Sequence, residues 1–169
     1  MSPPRRGACP MILYHGTNKP FDQIDLSKSK PNKDFGKGFY LTSDKRQAID
    51  MAKAKIDQQG EGEVFIYAFE LDASLLSSGE LKVKSFDTYT EEWALFILAN
   101  RNNSMKDPIH DYDIVIGPIA SDRVGFQLRR YTDDIIDLET LVKKLTYMKG
   151  ITIQYFFGTI AAISKLKRL

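Results

Sequence analysis

Gly36-Lys37-Gly38-Phe39-Tyr40 is the segment whose residue types come closest to a ligand-binding device. Two glycines flanking one residue let a backbone approach a ligand closely, and Tyr40 sets a flat ring beside that approach. The segment lacks the third glycine and the preceding strand of a dinucleotide fingerprint. It also lacks the Gly-Lys-Ser/Thr ending of a phosphate-binding loop. Taken alone, it is more simply a tight turn ahead of a strand whose tyrosine belongs to the core. Upstream, His15-Gly16-Thr17-Asn18 ends the short apolar run Met11 to Tyr14, which places His15 at the end of a first strand.

The elements that must hold these residues follow from periodicity. Between Lys19 and Lys37 the chain is polar, with Pro20, Pro31 and Lys19, Lys28, Lys30, Lys33 and Lys37, and reads as a long loop separating the two motifs. Loops of that length in a compact domain are commonly functional or disordered. Gly38 to Thr42 reads as a second strand. Ser43 or Asp44 then caps a helix with Ala48, Met51, Ala52 and Ile56 on one face. Glu63 to Leu71 is a strand with apolar residues on both faces, which suggests a central position. Thr90 caps a helix to Asn100, with Trp93, Phe96 and Ile97 turned inward. Tyr112 to Gly117 is a buried strand, Leu138 to Met148 a helix stopped by Gly150, and Ile151 to Phe157 a last strand, followed at Thr159 by a short helix. Strands and helices are mixed without regular βαβα alternation, so the expected class is α+β.

Composition narrows the function classes. The chain has 169 residues, 24 Lys+Arg against 22 Asp+Glu and a net charge of +2, so no large basic excess predicts strong attraction to nucleic acid or anionic lipid. One cysteine, Cys9, excludes an internal disulfide. With only His15 and His110 beside it, it also argues against a structural metal, and a reducing cytoplasmic setting fits. The apolar stretch Ala94 to Ala99 is far below the ~20 residues of a membrane-spanning helix, so no membrane role is expected. Residues 1–10 read as a flexible basic tail without the apolar core of a secretory signal, and residues 11–169 as one domain.

Taken together and in order, His15-Gly16-Thr17 and Gly36 to Thr42 resemble the motifs of the ADP-ribosyltransferase superfamily, in the branch that includes diphtheria toxin and the poly(ADP-ribose) polymerases. More closely, the chain resembles the bacterial family DUF3990 from about Met11 to Lys167. Tyr14-His15-Gly16-Thr17, Gly36 to Thr42, Trp93 with Asn100-Arg101, and Asp111 to Pro118 carry that resemblance. It implies a split mixed β-sheet core forming an NAD cleft with flanking helices, and transfer of ADP-ribose from NAD to a protein or nucleic-acid acceptor with release of nicotinamide. By the same resemblance His15 would bond the adenosine-side ribose, Gly16 the nicotinamide carboxamide, and Tyr40 would stack on nicotinamide. Thr17 and Gly38 would complete the two NAD-binding motifs. A toxin neutralised by a small partner protein is a further implication.

Two positions depart from the superfamily pattern. A second ring-covering aromatic is expected eleven residues after the motif tyrosine, where this chain has Met51, which can cover a ring through sulfur and methylene contacts or simply fill the helix core. The third motif, commonly Glu on a late strand, falls at Gln154, which can hold a ribose hydroxyl but carries no charge. A buried structural glutamine is the other reading. Arg101 can meet the NAD diphosphate or serve a surface salt bridge. The alternatives to transfer are NAD hydrolysis in the same site, and a catalytically inactive NAD or nucleic-acid binding module.

Overall fold

Alternation along the strands sorts the apolar residues into two cores, one on each face of a single seven-stranded sheet. The computed structural model describes residues 9–105 and 107–169. In chain order the elements are β1 (Pro10–Thr17), β2 (Phe39–Thr42), α1 (Lys45–Gln59), β3 (Phe65–Asp72), β4 (Val83–Ser85), α2 (Glu91–Arg101), β5 (Ile114–Pro118), α3 (Asp122–Thr132), α4 (Leu138–Thr146), β6 (Ile153–Phe157), α5 (Ile160–Ile163) and β7 (Lys167–Arg168). Short 3-10 turns cover Leu26–Lys28 and Ala73–Leu76. The strand order is β4-β5-β6-β2-β1-β3-β7, with β4 parallel to β5 and every other pair antiparallel.

On one face, Tyr40, Val115 and Phe156 pack under α2, α3 and α4, which contribute Trp93, Ile97, Val124, Leu128, Leu141 and Leu145. On the other, Leu13, Leu41, Phe69, Leu71, Ile114 and Phe157 pack under α5 and under Phe21 and Ile24 of the loop after β1. Trp93 is fully buried and its indole N–H donates to the Pro118 carbonyl at 3.1 Å, which ties α2 to the end of β5. The two halves of the sheet meet at one residue pair. β1 pairs with β3 over eight positions and β2 with β6 over four, but β1 meets β2 only at Tyr14↔Thr42.

α1 lies across that joint. Asp44 caps its start by accepting from the Arg46 N–H at 2.9 Å, and Gly60 ends it at φ 69°. Ala48 and Ala52 are fully buried, and their small side chains let the helix backbone come close to β1. A Cβ added to Gly16 would stand 1.8 Å from the Ala48 carbonyl oxygen, so only glycine fits there.

Several expectations differ from the structure. β3 is next to the sheet edge rather than central, since β7 covers it only at Phe69 and Glu70. Its two apolar faces arise because Phe69 and Leu71 enter one core while α1 packs on the strand from the other side. The sequence reading passed over α3, although Val124, Leu128 and Tyr131 follow helical spacing behind the Ser121 cap. It also passed over the short strands β4 and β7. Residues 1–8 of the expected tail lie outside the described residues. Cys9 and Pro10 are part of the fold: Cys9 N–H donates to Asp72 Oδ1 at 3.1 Å, and Pro10 pairs with Asp72.

The Gly16 contact is testable by substitution. Gly16→Ala must force α1 away from β1, an overpacking cost of about 1–3 kcal/mol, which lowers Tm by about 3–10 °C in a chain of this size. Gly125→Ala, whose added Cβ would find only Arg101 Nη1 at 3.6 Å, should leave Tm equal or higher. Equal Tm values for the two variants would contradict this packing.

Candidate functional site at the sheet joint

Extending the register beyond Tyr14↔Thr42 would set Gly16 opposite Tyr40, but that pair does not form. Side chains take the two carbonyls instead. His15 Nδ1–H donates to the Tyr40 carbonyl at 2.7 Å, and Lys55 Nζ donates to the Gly16 carbonyl at 2.9 Å. Lys55 reaches it from the inward face of α1, in line with Ala48, Met51 and Ala52.

His15 belongs to the second core's face, stacked on Phe39 at 4.1 Å between ring centroids and edge-on to Phe21 at 5.8 Å. Burial, and then the positive charge of Lys55, pull its pKa down to about 3. The imidazole is therefore neutral at physiological pH. With Nδ1 donating, Nε2 is left as an acceptor with no hydrogen-bond partner among the described residues. Such a nitrogen can receive a hydroxyl.

Tyr40 lies on the opposite face. Its hydroxyl donates to the Gly36 carbonyl at 2.6 Å and accepts from the Phe35 N–H at 3.0 Å, closing the glycine turn on itself. Gly36 needs its freedom here, at φ 95°. The ring meets Phe156 edge-on at 5.3 Å, and the Lys33 ammonium sits over it, 5.4 Å from the centroid. Burial pushes the phenol pKa well up, so the hydroxyl stays protonated.

Gln154 pairs with Thr42, which pairs with Tyr14, so a row crosses β6, β2 and β1 at the joint. Phe156 is opposite Tyr40, which makes Gln154 the diagonal neighbour of Tyr40 on the same face. Gln154 is 6% exposed and its Nε2 has no hydrogen-bond partner among the described residues. An unpaired buried amide costs about 1–3 kcal/mol. Two residues before it, Thr152 lines a cavity of about 320 Å³ with Gln47, Tyr89, Ser121, Arg123 and Lys149.

The remaining candidates have local tasks. Gly38 lies against Phe156, where a Cβ would come within 2.2 Å of the ring, and its N–H donates to Ser29 Oγ at 3.0 Å. Thr17 is buried at the end of β1, and Met51 is half-buried on α1. Arg101 Nε donates to Asp34 Oδ1 at 2.8 Å, and Asp34 Oδ2 accepts from the Ala120 N–H at 3.4 Å. The arginine is thus paired within the fold and clamps the glycine turn to α2 and to the end of β5. His110 reinforces it: Nε2–H donates to the Phe35 carbonyl at 2.7 Å while Nδ1 accepts from Tyr112 N–H.

A family model described as "Protein of unknown function (DUF3990)" matches residues 11–168. The chain belongs to this family. Searches of curated proteins and of solved structures give no match. In this DUF3990 chain the structure places Gly16, Tyr40 and Gln154 beside the joint and His15 on the opposite face of the sheet, and Lys55 is a neighbour that the sequence reading missed. Lys55 had a signal: it is a charged residue on the apolar stripe of α1. Its pKa is lowered to about 8 by burial and then by Lys33, whose own pKa is lowered by burial and then by Lys30.

The neutral state of His15 has a consequence for acid stability. Between pH 6.5 and about 3 the unfolded chain takes up a proton at position 15 that the folded chain refuses, so stability falls as pH drops through that window. His15→Asn removes this contribution. Urea midpoints measured from pH 7 to pH 4 should fall more steeply for the native chain than for the variant. Parallel profiles would mean that His15 is charged in the folded protein.

Proposed function

We propose that this DUF3990 protein binds NAD across the β1–β2 joint and transfers its ADP-ribose to a macromolecular acceptor, releasing nicotinamide. The observation that carries the reading is the break in the β1–β2 ladder. It brings the Gly16 carbonyl, the Tyr40 ring and a Gln154 amide nitrogen without a partner among the described residues to one joint, with the His15 imidazole acceptor on the opposite face of the sheet. These are the groups that the motif resemblance assigns to a ribose hydroxyl, a carboxamide, a nicotinamide ring and the second ribose.

In this reading nicotinamide lies on the face of Tyr40, its carboxamide N–H sharing the Gly16 carbonyl, and Gln154 Nε2 donates to a hydroxyl of the attached ribose. The bond between ribose C1′ and the ring nitrogen breaks, and its electron pair goes to that nitrogen, so nicotinamide leaves neutral. The acceptor's nucleophilic atom bonds to C1′ and gives its proton to water. Gln154 orients the ribose without adding negative charge, so the rate enhancement comes from positioning. The cavity beside Thr152 lies on the same face and supplies room for the acceptor.

A second reading, NAD binding without turnover, is favoured by that same uncharged position. A toxin held in check by a partner protein is the biological setting that the motif resemblance suggests, and the single cysteine fits a cytoplasmic one.

Nicotinamide release from NAD, with and without cell lysate as acceptor, tests the proposal. Release that rises with lysate, with label recovered on protein or nucleic acid, is the expected result, and Gln154→Ala should lower it at least tenfold with the fold intact. Release independent of any acceptor would make the protein a hydrolase. Calorimetric NAD binding without release would make it a binding module, and no binding in the millimolar range would sink the assignment.

A further inference from the structure

Two cavities of about 320 Å³ each share Asp122, Arg123 and Met148, so they form one groove along the start of α3 and the segment between α4 and β6. Its two ends differ in chemistry. One is polar, with Gln47, Tyr89 and Thr152, and Thr152 stands two residues before Gln154 on the same face of the sheet. The other is apolar, with Phe126 and Met148. Arg123 lines both parts and Lys149 the polar one, and Asp122 is the one acidic side chain in the lining among the described residues.

Phe126 is 55% exposed on a helix whose Val124 and Leu128 are buried, and the Arg130 guanidinium lies over its ring, 5.9 Å from the centroid. Tyr147, next to Met148, is 84% exposed. Exposed rings interleaved with cations suit a single strand, because every base offers a face to stack on a ring and every linkage a phosphate to a cation. A duplex hides those faces. A peptide is held by pairing with a strand edge or by a row of apolar anchors. Here β6 is an interior strand, and Phe126 and Met148 make the apolar part too short for such a row. We propose that this groove docks a single-stranded nucleic acid as the acceptor, with phosphates at Arg123 and Lys149 and a base on Phe126. Calling the strand an acceptor rests on the transfer reading above; its binding does not. Two cations in the lining give a local attraction, in keeping with a net charge of only +2.

The test is fluorescence anisotropy on the full chain without NAD, using labelled RNA and DNA single strands of about ten nucleotides, the same sequences as duplexes, and an acidic peptide. Single strands should bind best, and two phosphate contacts should give a slope of about −1.4 in log K against log salt. Arg123→Ala and Lys149→Ala should each make that slope shallower by about 0.7. Phe126→Ala should weaken binding about tenfold at an unchanged slope. All three side chains are exposed, so the variants should keep the native Tm. No strand binding, equal binding of duplexes, binding of the peptide in place of strands, or affinities unchanged in the three variants would overturn the proposal. Nicotinamide release from NAD by a chain that ignores oligonucleotides would overturn the groove and leave the NAD reading standing. Strand binding that the variants lose, in a chain that ignores NAD, would keep the groove and remove the transfer reading.

Discussion

The structure depends on how two strands that run side by side stop pairing after one residue. Backbone carbonyls that leave a ladder must find donors or water. At this joint the donors are His15 for Tyr40 and Lys55 for Gly16, so the opening is held by side chains rather than left to solvent. Closing the ladder would require removing both. Gly16 makes this possible because α1 presses so near that any side chain there would strike the Ala48 carbonyl. The same contact brings Lys55 within reach.

The far wall of the opening is fixed with equal care. Tyr40 commits its hydroxyl to Phe35 and Gly36, and its ring is packed against Phe156 and Phe35 in the first core. The turn that it locks is held again by Arg101 through Asp34 and by His110 through the Phe35 carbonyl. Contacts from α2, the approach to β5 and β2 thus converge on three residues of the loop, Asp34, Phe35 and Gly36. Pre-organisation of this kind lowers the ordering cost when a ligand arrives.

Much of this was legible in the sequence because it is carried by local patterns. The caps at Asp44 and Thr90, the Ala48-Met51-Ala52-Ile56 stripe and the strands around Phe69, Val115 and Phe156 all follow from periodicity and cap chemistry. The partner of each strand does not, because pairing joins residues far apart in the chain, as Tyr40 with Phe156 shows. For that reason β3 was expected at the centre, and the short strands β4 and β7 were passed over. Within the site, residue types exposed His15, Tyr40 and Gln154. The fate of Arg101 and the reach of Lys55 could only come from the fold, since a cation's role is set by the carboxylate beside it.

The charges at the joint constrain any chemistry performed there. His15 is neutral, Gln154 is uncharged, and Lys33 and Lys55 are cationic, so the joint has a positive field. At an effective dielectric near 20, a positive charge about 4 Å away opposes a second one by about 4 kcal/mol. A ribosyl cation developing beside unneutralised lysines would therefore be disfavoured. In the proposed complex the two negative charges of the NAD diphosphate would offset that repulsion. With Gln154 uncharged, any offset to that repulsion in the proposed complex must come from the substrate itself.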